Sequence, residues 1–500
     1  MTGSEAVPPD DERLTRTVVG GVGLTAAGFV LTRLLTFAIY LVLARLAAPE
    51  VFGRFAAASI LLGAASIFVE SGMLSALIQR RDRLEEAADT AFAATMLGGV
   101  ALTLAALAAA PLIGLVFGSR EIRNVAAGLS GVLAIGAATV VPDALLQRRF
   151  SILRRVIVDP LGVAAFGLTS IVALHEGLGV WALVLGTYAS EVVQVVAAWK
   201  ASGFRPRRRG VSLEMWRELA RYGRYVLAAT SIDHVAVAAN TVLLGRFVSA
   251  GALGQYRYAT RLGLVTQDLF VTAGSYALFP AFARVSHDRE RFDRGFVKAL
   301  RWSSWAVVPT SLLLLPLGPP LVVFLLGARW HPAGEALAVL SVAAASASVG
   351  SVSAEGLKAS ARTDALPRLH GIQAVLTIAF MAALLPFGLI GVAVGYAAGT
   401  VAANAYALVR AADLLELGRA NVLRAIWPAW AASMPMAAGL FALDRFVVHA
   451  AGHRVLPGLA LLVLEAIAGL ALYAAWLQVF APEAGSGLKR LVCAISSRAR

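Results

Sequence analysis

Stretches of about twenty predominantly apolar residues recur along almost the whole chain, near 20–46, 55–78, 91–117, 124–146, 156–174, 179–199, 224–247, 252–280, 302–327, 333–356, 366–386, 389–410, 426–447 and 457–480. A helix of about 20 such residues crosses the hydrocarbon core of a bilayer, where each backbone polar group must be bonded within its own segment. With 59% hydrophobic residues over 500 positions, the chain carries more apolar surface than a soluble core of that length can hide. The pattern predicts an all-α polytopic membrane protein of about 14 transmembrane helices. Pro319-Pro320, inside the ninth stretch, predicts a kink or a broken end there.

Charge supports this count independently. The net charge is +14, but the arginines sit in short clusters between apolar runs and not along one soluble face. They read as topology signals, which argues against a nucleic-acid partner. With the N-terminus inside, 33 of the 44 Lys and Arg residues fall on the even-numbered loops and the two tails, so both termini are expected to be cytoplasmic. The polar start from Met1 to Arg16 leads straight into a full span and shows no cleavable signal. The outer loops are about ten residues or fewer, too short for an external domain. Cys493 is the one cysteine, so neither an intrachain disulfide nor a cysteine metal site is expected. Histidines at metal-ligand spacing and a P-loop are also missing, so the sequence predicts no metal site, no nucleotide hydrolysis and no enzyme.

The spans are organised by a repeat. Leu43 to Arg83 lies over Leu244 to Arg284 at an offset of 201 without a gap; 8 of the 41 pairs are identical, among them Arg45 with Arg246, Gly53 with Gly254 and Arg83 with Arg284. Each copy has an arginine at a helix exit, a short Gly-bearing turn, an aromatic re-entry and a basic stop. The repeat predicts two related lobes of six spans, and an even number of spans keeps both copies in one orientation, with the pseudo-axis along the membrane normal. The expected segments are a tail at 1–19, an N-lobe at 20–199, a linker at 200–223, a C-lobe at 224–410, a terminal helix pair at 411–480 and a basic tail at 481–500. In the linker Leu213, Trp216 and Leu219 recur at helical spacing against Glu214, Arg217, Glu218 and Arg221, which predicts an amphipathic helix at the inner interface.

The LARLAAPEVFGRFAAA turn, the SGMLSALIQRRD and PDALLQRRFSILRR exits, and the LGRFVSAGALGQYRYATRL and YALFPAFARV stretches resemble the Wzx-like oligosaccharide flippases of the multidrug/oligosaccharidyl-lipid/polysaccharide exporter superfamily. The resemblance covers roughly 17–410, and the terminal pair is similar to the fourteen-span members such as lipid II flippases. It implies two six-helix lobes forming a V around a central cavity. It also implies alternating access, and polyprenyl-diphosphate-linked sugars as cargo in the inner membrane.

An ionisable side chain inside a span is costly and faces a cavity or a partner. Arg33 stands about thirteen residues into the first span, and the offset places it over His234, with Thr32 over Asp233. Arg257, Arg261 and Asp268 are spaced by 4 and 7 and share one helical face. Guanidinium groups can offset the desolvation of a diphosphate with bidentate contacts, so Arg33, Arg257 and Arg261 are candidate headgroup contacts. Arg54, nearer the outer interface, is a fourth; the resemblance to lipid II flippases implies cavity arginines on the first, second and eighth spans. Ion pairing between helices or snorkelling at a helix end is the competing reading.

Asp233, His234, Asp268, Glu70 and Glu191 are candidates for proton or sodium coupling, since a carboxyl in an apolar cavity can carry either ion; pairing with a nearby arginine is the alternative. Asp143, Asp159 and Glu355 lie near inner span ends and read as solvated. His370 and Glu465 are expected to pack in the bundle or meet water, with no role. Together these features predict a transporter that flips a polyprenyl-diphosphate-linked oligosaccharide to the outer leaflet for surface polysaccharide export. Membrane lipids surround it, no cofactor is needed, and a polysaccharide polymerase and export machinery are possible partners. A lipid II flippase, a cation-coupled multidrug exporter and, as a different class, a polysaccharide polymerase are the alternatives. The cavity arginines argue against cationic drugs.

Overall fold

A computed structural model of the chain describes residues 10–64, 77–78, 82–148, 154–207, 211–448 and 455–480. Among the described residues the secondary structure is helix and turn, with no strand. Contacts divide the chain into two compact units, Met1–Val235 and Ala236–Arg500.

The first unit contains α1 (Asp10–Leu46), α2 (Pro49–Ala58), α3 (Leu84–Phe117), α4 (Arg120–Ser130), α5 (Val132–Ala137), α6 (Val140–Arg148), α7 (Asp159–His175), α8 (Val180–Ser202) and the first part of α9 (Leu213–Phe247). The second contains the rest of α9, then α10 (Ala250–Val285), α11 (Arg289–Leu312), α12 (Leu314–Leu326), α13 (His331–Ala359), α14 (Leu366–Ala383), α15 (Gly388–Leu414), α16 (Arg419–Leu443) and α17 (Val455–Phe480). Among the described residues nine helices are long and apolar enough to cross a membrane, and the bent pairs α4–α5 with α6 and α11 with α12 bring the number to eleven. Of the fourteen expected crossings, half of the second lies outside the described residues, and the seventh and eighth run within α9 and α10, helices of 35 and 36 residues. The protein is a multi-pass helical membrane protein.

Both bends follow from proline. Pro142 has no N–H for the carbonyl of Ala138 one turn earlier, and the helix breaks there by 43°. The orphaned carbonyl accepts the indole N–H of Trp199 from α8 at 2.9 Å. The second bend, 47°, falls at Leu313, ahead of the expected Pro319-Pro320, because Pro316 already opposes the carbonyl of Leu312. Pro319 and Pro320 lie inside α12 without a further break. Within α11, Pro309 likewise leaves the carbonyl of Trp305 without a backbone donor, and the hydroxyl of Tyr473 on α17 donates to it at 3.2 Å.

The fourth crossing receives large side chains of α8 over glycines. A Cβ at Gly128 would lie 2.7 Å from the Trp181 ring, and one at Gly131 would lie 2.4 Å from the Tyr188 hydroxyl, so only glycine admits this approach. In the second unit Phe282, Phe292 and Phe296 pack with Val349, Val352 and Leu408, while Trp305, Met436 and Tyr473 join α16 and α17 to α11.

The repeat is visible in the helix ends. At the same offset of 201, α1 ends at Leu46 and α9 at Phe247, and α2 begins at Pro49 and α10 at Ala250. Leu43 and Leu244 are both fully buried, as are Ala58 and Ala259.

The linker is tied to the first unit by the start of α3. The backbone N–H of Arg207 donates to Asp89 Oδ1 at 3.0 Å, its guanidinium reaches Glu85 at 2.8 Å, and the N–H of Ser212 donates to Thr90 Oγ1 at 3.0 Å. The amphipathic segment then forms the first turns of α9 and continues directly into the seventh crossing. Its buried face is Met215 and Leu219, packed on Leu77, Ala87, Ala91 and Leu145. Leu213 and Trp216 remain exposed, a placement suited to the membrane interface.

Candidate functional site

The start of α10 concentrates the polar chemistry of the second unit. Ser249 caps the helix by accepting the N–H of Ala252 at 3.0 Å. From there the sequence GQYRYATR splits its side chains between two faces. Gln255 is buried and spans the turn before α13, donating to the carbonyl of Arg329 at 2.8 Å and accepting from the N–H of Ala333 at 3.0 Å. The latter is one of the N-terminal donors of α13 that lack an intrahelical partner. Tyr256 meets Tyr396 edge-on at 6.3 Å, and Tyr258 lies against Trp330 at 4.3 Å. These residues lock α10 onto α13 and α15.

Arg257 and Arg261 occupy the other face, one turn apart. Arg257 is half-buried, and its guanidinium donates to the hydroxyl of Thr241 on α9 at 2.7 Å. Thr241 is 1% exposed and passes its own proton to the carbonyl of Val237 at 2.7 Å, which fixes the lone pair turned to Arg257. Arg261 is exposed and within electrostatic range of Arg257. Like charges at i and i+4 repel, and an anion between the two guanidiniums would offset that repulsion. Asn240, next to Thr241, has a buried Oδ1 with no hydrogen-bond partner among the described residues.

The other candidates are placed as follows. In the first unit Arg33 is exposed, its guanidinium 5.1 Å from the Phe29 ring one turn earlier, a cation–π contact. His234 is also exposed and faces Gly63. Glu191 is half-buried with its carboxylate beside Gly136 of the fourth crossing. Arg54 donates to Glu121 at 2.6 Å, an ion pair about 40% exposed on both sides. Glu70 and the side chains of Asp233 and Asp268 lie outside the described residues.

Arg54 gains a second meaning from the repeat. The 201 offset sets it over Gln255, and each ties the start of its lobe's second helix to the turn between the third and fourth: Arg54 to Glu121, Gln255 to Arg329 and Ala333. The sequence reading missed Gln255 and Thr241. Matching Arg54 across the offset would have found Gln255, whereas Thr241 has no local signature, being an ordinary helix threonine made special by a partner 16 residues on.

A family model described as polysaccharide biosynthesis protein matches residues 42–335, more than half of the chain. The chain belongs to this polysaccharide biosynthesis protein family. The matched stretch holds both copies of the repeat together with Arg54, Thr241, Arg257 and Arg261, and leaves out Arg33 and the terminal pair. Among curated proteins it is similar to the succinoglycan biosynthesis transport protein ExoT of Rhizobium meliloti, 23% identical over 327 residues, covering 65% of this chain and 66% of the relative. It is also similar to the lipopolysaccharide biosynthesis protein WzxC of Escherichia coli, 23% identical over 325 residues, with the same 65% and 66% covered. The chain thus spans just under two thirds of the length of the curated relatives it matches. Among solved structures it resembles the lipid II flippase MurJ in an inward closed conformation, with a TM-score of 0.72 at 15% identity over 92% of this chain and 99% of that one. An inward-facing multidrug resistance transporter of the MATE family gives 0.64 at 17% identity, over 77% and 94%. At these identities the likeness shows the fold, and the superfamily named from the sequence motifs is the one whose fold this chain has.

Proposed function

We propose that this membrane protein moves a polyprenyl-diphosphate-linked oligosaccharide from the inner to the outer leaflet of a bacterial plasma membrane, for assembly of a surface polysaccharide. The observation that carries the reading is the Arg257–Arg261 face of α10, with Arg257 held by Thr241, in a chain of the polysaccharide biosynthesis protein family. Two guanidiniums one turn apart can each offer a fork of donors to the oxygens of a diphosphate. The lipid would stay in the bilayer while the sugar diphosphate crosses by alternating access. Arg33 would be a further headgroup contact. Both termini would face the cytoplasm, as the basic loops direct, and a proton or sodium gradient would drive the cycle through Asp233, His234, Asp268, Glu70 or Glu191. No catalytic step is required of the chain. A polymerase and an export apparatus would take the product.

The test is the lipid-linked saccharide pool of a deletion strain, with leaflet sidedness read by an impermeant sugar-modifying reagent. A complete repeat unit that accumulates protected on the inner face is the expected result. A normal lipid pool would overturn the proposal in favour of drug export; units reactive outside yet unpolymerised would overturn it in favour of a polymerase. Accumulation of protected lipid II would identify a peptidoglycan precursor as the cargo instead.

A further inference from the structure

The terminal helix pair holds a group that the proposed transport site does not use. Glu465 lies ten residues into α17, about 15 Å along its axis and so near its middle. It is 3% exposed, and both carboxyl oxygens are buried with no hydrogen-bond partner among the described residues. Its neighbours on α17, Leu462 and Ala466, pack with Leu313, Leu317, Leu321 and Phe324 of the bent ninth crossing. One turn on, a Cβ at Gly469 would lie 2.5 Å from Leu440 of α16, so the two terminal helices touch there. In an antiparallel pair, four residues back from Gly469 and four forward from Leu440 meet again, which sets Asp444 level with Glu465. Asp444 is within electrostatic range of Glu465.

We propose that Glu465 is a proton-binding site of the terminal pair and holds its proton in this conformation. An ionised carboxylate in an apolar site without a donor is far more costly than the neutral acid, and intramembrane acids face that cost directly. Among the described residues, the elements packed on α17 supply no cation level with it. α12 has no titratable residue, and the last basic residue of α11, Arg301, lies mid-helix, a turn before Trp305, the residue whose carbonyl meets Tyr473. On α16 the basic residues Arg419 and Arg424 occupy the first two turns, and beyond its end come Asp444 and the exposed Arg445. On α17 itself Tyr473, two turns on, is committed to the carbonyl of Trp305. The loop residues His449, His453 and Arg454 lie outside the described residues. The formal charge level with Glu465 is therefore another acid. Among the described residues no three His, Cys, Asp or Glu side chains come together, so the donor set suits a proton and not a metal ion. Loss of that proton would place a negative charge between α16, α17 and α12, so the packing of the terminal pair depends on protonation. The inference stands apart from the transport reading, since the site lies beyond residues 42–335 and needs no cargo.

The test is infrared difference spectroscopy of the reconstituted full-length protein between neutral and alkaline buffer. Wild type is expected to show the carbonyl stretch of a protonated carboxyl at neutral pH; E465Q, of the same shape, should lack it. E465M, which fills the apolar site, serves as the second variant. D444N should lose the band at lower pH than wild type, because the charge that opposes ionisation of Glu465 is gone. A second readout is melting temperature: E465Q should match wild type in acid and exceed it increasingly as pH rises, since the folded wild type must then carry an uncompensated carboxylate. Spectra of wild type and both Glu465 variants that superimpose at neutral pH, or a melting difference that does not change with pH, would overturn the proposal.

Discussion

Trp199 on α8 donates its indole N–H to the carbonyl of Ala138 at 2.9 Å, and this is the carbonyl that Pro142 leaves without a backbone donor. Proline breaks the helix, and a tryptophan from a neighbouring helix repairs the hydrogen-bond deficit. In a bilayer this compensation matters more than in water, because no solvent is present to take the bond. The same arrangement recurs in the second unit, where the Tyr473 hydroxyl serves the Trp305 carbonyl vacated by Pro309.

Replacing Trp199 by Phe keeps the ring and removes the donor. The buried carbonyl left unsatisfied should cost about 1–3 kcal/mol, read as a lower melting temperature of the detergent-solubilised protein. In the P142A background the new backbone N–H at 142 can reach Ala138 itself, so W199F should cost much less there. Equal losses in the two backgrounds would show that Trp199 acts through packing alone.

Gln255 and Arg54 make equivalent ties in the two lobes, but their settings differ. Gln255 is 8% exposed and holds a backbone carbonyl and a backbone N–H, whereas Arg54 and Glu121 are partly exposed. Q255A should destabilise by about 1–3 kcal/mol and R54A by about 0–1 kcal/mol. Raising the salt concentration should shrink the R54A effect and leave Q255A unchanged. A larger loss in R54A than in Q255A in a thermal melt would contradict this ranking.

Much of the fold was legible because a bilayer reduces it to a few rules. Apolar runs of span length marked helices long and apolar enough to cross, and the repeat placed α2 and α10 at matching starts, Pro49 and Ala250. The site was legible only in part. Arg257 and Arg261 share a face because 4 residues make about one helical turn, which sequence spacing reveals. Their anchor Thr241 and the tie through Gln255 depend on which helices pack together, and spacing within one helix does not carry that. The bend at Leu313 was misplaced because three prolines in four residues of one another compete, and the first to meet a carbonyl decides. Glu465 was passed over because burial without a partner is a property of the packed helices.

The linker should respond to a change in α3. Asp89 Oδ1 accepts the N–H of Arg207, and Thr90 Oγ1 that of Ser212, so two side chains on adjacent residues hold the linker at Arg207 and at Ser212. D89A should free the backbone around Arg207 and speed limited trypsin cleavage there several-fold in inside-out vesicles. The Glu85 pair with Arg207 is exposed, and E85A should change the rate little, as surface pairs are worth about 0–1 kcal/mol. Equal cleavage in D89A and wild type would mean that the Thr90 bond to Ser212 and the packing of Met215 and Leu219 suffice to hold the segment.

Arg257 gives the sharpest test of the headgroup reading. Its guanidinium is pinned by Thr241, so one edge is used for position and the others remain available to an anion. R257A removes charge-assisted bonds worth about 1.5–3 kcal/mol each, or roughly 10- to 100-fold in affinity per bond. Complementation of the deletion strain by R257A should fail while the protein still reaches the membrane. R257K keeps the charge but loses the fork, and it should restore only a small part of polysaccharide output. T241V keeps the shape of threonine and removes the acceptor; the arginine is then present but unaimed, and output should fall less than in R257A. Wild-type output from R257A would remove this face of α10 from cargo binding. Equal output from R257K and wild type would instead reduce the role of Arg257 to its charge.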